Sequence, residues 1–145
     1  MASFDTPLFI GIALTLVLVG ASVLVHFEAL NLLNRGVHKL KSKRLALLAT
    51  MFGLLLAHFV EIGLFGSGYW LAANVQLGGF KPSLADWFDA MYYSAMVYTT
   101  VGFGDLVPVG ALRTVTSGEA VTGLSLITWS ASFAFLQMQR VWNAR

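Results

Sequence analysis

The chain has 145 residues, of which 57% are hydrophobic and only 11% are charged. Soluble domains carry about 25% charged residues, so this composition indicates a membrane protein. The chain contains no cysteine, which excludes disulfides and thiolate metal sites, and its net charge of +2 does not indicate nucleic-acid binding. No nucleophile–base pair, carboxylate pair or metal cluster marks an active site, so we expect no enzyme activity and no cofactor.

Residues 1–44 are predicted to form one membrane helix followed by a basic loop. The apolar run over residues 8–27 is long enough to cross the hydrocarbon layer. Five of the nine Lys and Arg residues lie within residues 35–44, which places this loop in the cytoplasm and the N-terminus outside. The loop either only sets orientation and contacts lipid headgroups, or also senses anionic lipids. Helix 1 has no regularly spaced arginines, so we expect no voltage sensor.

The second predicted unit covers residues 45–145 and contains two further spans. Between them lies a short helix that Ser83 or Asp86 can cap. A helix of about a dozen residues is too short to cross a bilayer, so it must end inside the membrane. The predicted elements are an outer helix, an extracellular turret, the short helix, an irregular segment and an inner helix, over residues 45–66, 67–84, 85–98, 99–105 and 112–141.

The irregular segment over residues 99–105 offers a row of backbone carbonyls. Gly102 and Gly104 alternate with larger residues in it. Glycine reaches positive φ without steric penalty, so successive carbonyls can turn toward one axis, and the Thr100 hydroxyl adds a further oxygen. Four such strands around a common axis would stack oxygen rings that replace the water shell of a monovalent cation.

The six residues Thr100-Val101-Gly102-Phe103-Gly104-Asp105 resemble the selectivity filter of potassium channels, where Tyr is the more usual aromatic residue. The resemblance covers about residues 45–140 and is to channels of the two-transmembrane prokaryotic type, with one extra N-terminal helix. It implies an all-α membrane protein with the tetrameric potassium-channel pore fold, in which each subunit has three transmembrane helices, a re-entrant pore helix and a filter. One filter per chain implies a homotetramer. K⁺ would bind at Thr100, Val101, Gly102, Phe103 and Gly104.

The resemblance also implies which residues support the filter: Thr99, Asp105, Tyr92 and Tyr93. The two tyrosines occupy positions where many potassium channels carry paired Trp. Tyr92 is predicted to donate a hydrogen bond to Asp105, with ordinary helix packing as the alternative. Met96 replaces a Glu that pairs with the filter aspartate in some channels, so that ion pair is not expected here.

Three ionisable residues of the spans are candidates for a polar brace or a pH sensor: His58, Glu61 and Glu119. Glu61 is predicted near the outer end of its helix, at a depth similar to Glu119, where it resembles an acidic residue that braces the backbone after the filter. His58 and Glu61 share a helix face, but a metal site would need two more ligands. His26 and Glu28 are expected at the inner interface, with a contact to the second or third span as the alternative, and without an assigned function.

Two inner-helix residues are candidates for gating. Gly123 lies near the family's hinge glycine, although a glycine in a membrane helix can instead permit close helix contact. Four-residue steps from Gly123 lead to Phe135, which is predicted to form a hydrophobic inner constriction. Helix 1 is expected either to pack outside the other two spans or to contact a neighbouring subunit.

The resemblance implies a multi-pass protein of the cell (plasma) membrane, with a cytoplasmic C-terminus. The leading interpretation is a passive, potassium-selective channel. One alternative is a weakly selective cation channel of the same fold. The other is a non-conducting membrane subunit that regulates a partner.

Overall fold

The computed structural model describes residues 5–37, 39–40 and 42–143, with side chains described up to residue 140. Two members of the predicted basic loop, His38 and Lys41, and the C-terminal Arg145 lie outside the described residues. The elements are α1 (Asp5–Val37), α2 (Lys43–Asn74), β1 (Gly78–Lys81), α3 (Trp87–Tyr98), β2 (Val107–Gly110) and α4 (Leu112–Asn143).

Three of these helices are long and apolar enough to cross a membrane, namely α1, α2 and α4. This confirms the three predicted spans. Two of them extend well past their predicted ends, because α1 continues from residue 27 to Val37 and α2 continues from residue 66 to Asn74. Glycines near the exit of α2 suggested a loop, since glycine weakens an isolated helix by about 1 kcal/mol. The predicted turret therefore starts too early.

Packing overrides this glycine penalty, because the glycines allow neighbouring helices to approach. A Cβ atom on Gly68 would come within 2.7 Å of the Leu18 side chain of α1. On α4, a Cβ atom on Gly118 would come within 2.3 Å of Thr15. Helix α1 contacts both α2 and α4 of the same chain and so forms a brace against these two spans, while a contact with a neighbouring subunit stays a prediction.

A two-stranded antiparallel sheet lies where the sequence predicted only turret and filter exit. Strands β1 and β2 pair with Gly78 opposite Gly110 and Lys81 opposite Val107. A Cβ atom on Gly78 would lie 2.7 Å from the Val109 carbonyl oxygen, so the close pairing requires glycine there. The prediction of a purely α-helical chain is wrong in this detail. The sheet joins the segment before α3 to the segment that follows residues 99–105.

Helix α3 begins with a reciprocal cap. The Asp86 carboxylate accepts a hydrogen bond from the Asp89 backbone N–H at 3.1 Å, and the Asp89 carboxylate accepts from the Ala85 N–H at 2.7 Å. Side chains that satisfy free N–H groups in this way stabilise a helix start. The cap is Asp86 rather than Ser83, and the helix starts at Trp87 instead of residue 85.

Substitution Asp86→Ala is expected to destabilise the protein by about 0.5–2 kcal/mol, because the first turn of α3 loses its acceptor. Asp86→Asn keeps an acceptor oxygen and is expected to remain close to the unsubstituted protein. Thermal unfolding of the purified protein in detergent measures the difference. Equal unfolding temperatures for the alanine and asparagine variants would contradict a capping role.

Candidate functional site

The backbone of residues 99–105 changes conformation at every second position. Thr100, Gly102 and Gly104 have φ values of +61°, +54° and +78°, whereas Val101 and Phe103 between them do not have positive φ. Glycine adopts this region freely, but a β-branched residue such as Thr is strained in it. When backbone conformations with positive and negative φ alternate, successive peptide groups point in the same direction. In a regular β-strand, successive peptide groups point in opposite directions. The carbonyls can therefore line one side.

The same segment is anchored by its N–H groups and leaves its carbonyls open. The Thr100 N–H donates to the Val97 carbonyl at 2.9 Å, and the Gly102 N–H donates to the Met96 carbonyl at 3.1 Å. Within the described part of the chain, no hydrogen bond is accepted by the carbonyls of residues 100–104, and residues 99–105 are all exposed. Carbonyls at membrane depth need a partner, which a cation or water in a pore can supply.

Helix α3 directs its C-terminal end at the start of this segment. Thr99 caps the helix, and its N–H and its hydroxyl both bond to the Ala95 carbonyl, at 3.1 Å and 2.7 Å. The end of a helix carries about half a negative charge from its unpaired carbonyls. This polarity favours a cation over an anion beside Thr100.

Tyr92 and Tyr93 have different partners although they are adjacent in sequence. The Tyr92 hydroxyl donates to the Asp105 carboxylate at 2.9 Å, which is the predicted contact at the filter exit. This bond raises the pKa of Tyr92, because the carboxylate favours the protonated phenol. The Tyr93 hydroxyl instead lies 2.9 Å from the Thr116 hydroxyl. Met96 lines a cleft of about 280 Å³ between α3 and the filter.

A buried polar group, here called the outer cluster, joins α2, α3 and α4 behind the filter. It consists of Tyr69, Ser94, Thr116 and Glu119. The Glu119 carboxylate accepts one hydrogen bond from the Tyr69 hydroxyl and one from the Ser94 hydroxyl, both at 2.5 Å. Glu119 is fully buried. Its contacts join α4 to α2 and to the middle of α3, and its role as a polar brace or pH sensor stays a prediction.

A second buried group, here called the inner cluster, lies at the C-terminal end of α3. It consists of His26, His58, Glu61, Tyr98 and Ser130. The Nδ1 atoms of His26 and His58 lie 2.8 Å and 3.1 Å from the two Glu61 carboxylate oxygens. The Tyr98 hydroxyl also donates to Glu61. The cluster therefore links all four helices at Tyr98, the last residue of α3, which directly precedes Thr99.

These contacts correct the predicted position of Glu61. It lies beside the end of α3 rather than near the outer end of α2, because α2 extends 13 residues beyond it to Asn74. Glu61 thus contacts Tyr98 before the filter, and not the backbone after the filter. Its depth is nevertheless similar to that of Glu119, since Tyr98 and Ser94 are one helical turn apart on α3.

His26 is completely buried rather than interfacial, and the contact with the second and third spans that was the alternative is present, to Glu61 on α2 and to Ser130 on α4. The error follows from ending helix 1 at residue 27, whereas α1 continues to Val37. An ionisable residue inside a span usually has a partner, and this signal was available in the sequence. Tyr69, Ser94 and Ser130 carried no comparable signal.

Gly123 lies against the end of α3. A Cβ atom on Gly123 would come within 2.2 Å of the Tyr98 carbonyl oxygen. The structure thus contains the close helix contact that was one of two interpretations of this residue, while the hinge stays a prediction. Phe135 is exposed on α4, and its role as an inner constriction stays a prediction.

A family model described as an ion channel matches residues 45–140, about two thirds of the chain. The chain belongs to this ion-channel family. The match includes α2, α3, the filter segment and most of α4 of this ion channel, whereas α1 and His26 lie outside it. Comparison with curated proteins and with solved structures gave no significant match.

Proposed function

We propose that this ion channel is a potassium-selective pore, assembled as a homotetramer, through which ions move passively. The observation that carries the proposal is the alternating backbone of Thr100, Gly102 and Gly104, together with carbonyls of residues 100–104 that accept no hydrogen bond from the described residues. Main-chain oxygens arranged in rings replace the hydration shell of K⁺ at closely spaced sites. Membership in an ion-channel family favours transport over catalysis.

Tetramer formation is supported by the incompleteness of the filter in a single chain. One strand of carbonyls cannot enclose an ion, so further copies must complete each ring. The side chains of Val101 and Phe103 are 53% and 71% exposed in the single chain. Apolar side chains of the inner helix, such as Val121 and Phe135, are exposed as well. Neighbouring subunits or lipid would cover these surfaces.

The proposed conduction path runs along the open face of residues 100–104 and then between the four α4 helices. K⁺ would exchange water for the carbonyls of Thr100, Val101, Gly102 and Phe103, and successive ions would displace one another. The negative end of α3 would stabilise an ion below Thr100. Gly104 and Asp105 would form the exit, and Phe135 would narrow the inner mouth.

The proposed orientation follows the distribution of basic residues. Arg35, Lys39 and Arg44 lie at the junction of α1 and α2, and Arg140 lies near the end of α4. The positive-inside rule then places both regions in the cytoplasm and the filter exit outside, in the plasma membrane. The basic residues would also contact anionic lipid headgroups.

Ion flux from purified protein in liposomes tests the proposal and separates it from its two alternatives. We expect K⁺ efflux that Na⁺ does not replace, and chemical cross-linking that reaches four copies and stops there. Equal flux of K⁺ and Na⁺ would overturn potassium selectivity. Folded protein without flux of either ion would overturn the channel proposal, and a monomer in bilayers would overturn the tetramer.

A further inference from the structure

The inner cluster brings together side chains with the composition of a metal site. The ligating atoms of His26, His58 and Glu61 all lie within 4.8 Å of one another. The Tyr98 hydroxyl lies 2.9 Å from the His58 Nδ1 atom and also contacts the Glu61 carboxylate. We propose that the inner cluster binds one divalent transition-metal ion, for which Zn²⁺ is the best match, and that this ion locks α1 to the end of α3.

The ligand types select the class of ion. Two imidazoles and one carboxylate form a recurrent zinc set, with a fourth position for another oxygen. Calcium and magnesium prefer oxygen ligands throughout, which the two histidines do not supply. Tyr98 or a water molecule would occupy the fourth position.

The spacing of the ligands is close to what a tetrahedral ion requires. Bonds of about 2.0–2.2 Å place neighbouring ligand atoms about 3.3 Å apart around zinc. The two imidazole Nδ1 atoms already lie 2.8 Å and 3.1 Å from the Glu61 oxygens. Small side-chain rotations would open this arrangement around an ion, without any shift of the helices.

Charge balance gives a physical reason for a cation at this place. Glu61 and His26 are fully buried between apolar helices, where an uncompensated carboxylate is unfavourable. A divalent ion with two neutral imidazoles and one carboxylate leaves a single positive charge, which a deprotonated Tyr98 would neutralise. Each imidazole would bind the ion through Nδ1, so the Nδ1 proton that faces Glu61 without the metal would be released to solvent and Nε2 would carry the one proton of the neutral ring.

The surroundings of His26 support this binding mode. Its Nε2 atom lies 3.4 Å from the Ser130 hydroxyl on α4. Histidine ligands usually donate their second ring N–H to such an oxygen, which fixes the orientation of the ring. The ring also lies beside Trp129, with the centroids 5.4 Å apart. His58 is 16% exposed, so the ion has access from its side of the cluster.

A metal ion here would give α1 a defined role in the subunit. His26 comes from α1, His58 and Glu61 come from α2, and Tyr98 ends α3 directly before the filter segment. One ion would therefore fasten the additional N-terminal helix to the helix that carries the filter. Any effect on ion flux rests on the proposed function, but binding itself does not.

Metal binding is tested with purified protein in detergent, after treatment with a chelator. Titration with Zn²⁺ is expected to give one ion per chain and to raise the unfolding temperature. Co²⁺ in place of Zn²⁺ is expected to give the visible absorption of a four-coordinate site. The His26→Asn and His58→Asn variants are expected to bind no zinc ion at this site. The Ser130→Ala variant is expected to bind zinc about 10- to 100-fold more weakly.

His38→Asn is the matched control, since the chain has three histidines and His38 is the one not proposed as a ligand. This variant should bind zinc like the unsubstituted protein. If the cluster variants fail to fold, X-ray absorption of the zinc-loaded unsubstituted protein identifies the ligands directly, with two imidazoles expected. Flux is not measured, so failure here is distinct from failure of the channel proposal.

Several results would overturn the metal site. Folded protein that takes up neither Zn²⁺ nor Co²⁺ would do so. A ligand shell made only of oxygen atoms would also do so, as would one zinc ion still bound per chain in the His26→Asn variant. An unfolding temperature that responds to pH but not to Zn²⁺ would identify the inner cluster as a proton-binding network instead.

Discussion

Substitution Gly102→Ala is expected to abolish K⁺-selective flux while leaving the three membrane helices folded. Gly102 has a φ of +54°, and a Cβ atom placed on it would have no contact within 4 Å with described residues of the same chain beyond its immediate neighbours. The expected loss therefore comes from the backbone conformation and not from a clash. A residue with a side chain is less stable in this region by about 1–2 kcal/mol.

The cost multiplies in the proposed tetramer. Four copies of the substitution would oppose the filter conformation by about 4–8 kcal/mol in total, if each copy costs about 1–2 kcal/mol. An alternative conformation of lower energy would turn carbonyls away from the axis and remove oxygen ligands from K⁺. We expect at least a hundredfold lower K⁺ flux, with a smaller change in the unfolding temperature.

Gly20→Ala is the matched control for this experiment. Gly20 lies within α1, and a Cβ atom on it would likewise have no contact within 4 Å with described residues of the same chain beyond the local helix backbone. The two variants therefore differ in backbone conformation and not in available space. Both are measured by K⁺ and Na⁺ flux in liposomes and by thermal unfolding. Unchanged, selective flux in Gly102→Ala would mean that the conformation of this segment is not required for conduction.

The irregular backbone of residues 99–105 could be predicted from sequence because its information is local. Six consecutive residues determine both the motif and the positive φ positions at Gly102 and Gly104. The three spans could be predicted for a similar reason, since the length of an apolar run reports directly on membrane thickness. The ends of the spans could not, because packing holds Gly66 and Gly68 in α2 against their intrinsic preference.

The short sheet and the two buried clusters depend on contacts between distant parts of the chain. The strands have four residues each. The two glycines of β1 are typical of a turn, and only the pairing with β2 shows that they belong to a strand. The His26 and Glu61 side chains lie 35 residues apart in sequence and meet only when α1 packs on α2. No local sequence pattern predicts how α1 is aligned against α2. The sequence therefore identified the ionisable residues but not their partners.

Gly123→Ala is expected to have the second large effect, because it would displace the end of α3. The added Cβ atom would lie 2.2 Å from the Tyr98 carbonyl oxygen and 2.9 Å from the Tyr98 Cα atom. Backbone atoms of a capped helix cannot rotate away as a side chain can, so α3 and α4 must move apart. Overpacking of this kind costs about 1–3 kcal/mol. We expect a lower unfolding temperature and, because Thr99 follows Tyr98 directly, at least a tenfold lower K⁺ flux.

Gly118→Ala on the same helix is the matched control, since its Cβ atom would lie 2.3 Å from a methyl group of Thr15 on α1. That clash would move α1 away from α4 and leave α3 in place. The unfolding temperature should therefore fall while selective flux continues. The comparison also separates close contact from the predicted hinge at Gly123. A hinge requires that alanine leave stability unchanged and slow the opening of the pore. Loss of stability together with flux instead indicates that Gly123 is needed because α4 passes so close to the helix that carries the filter.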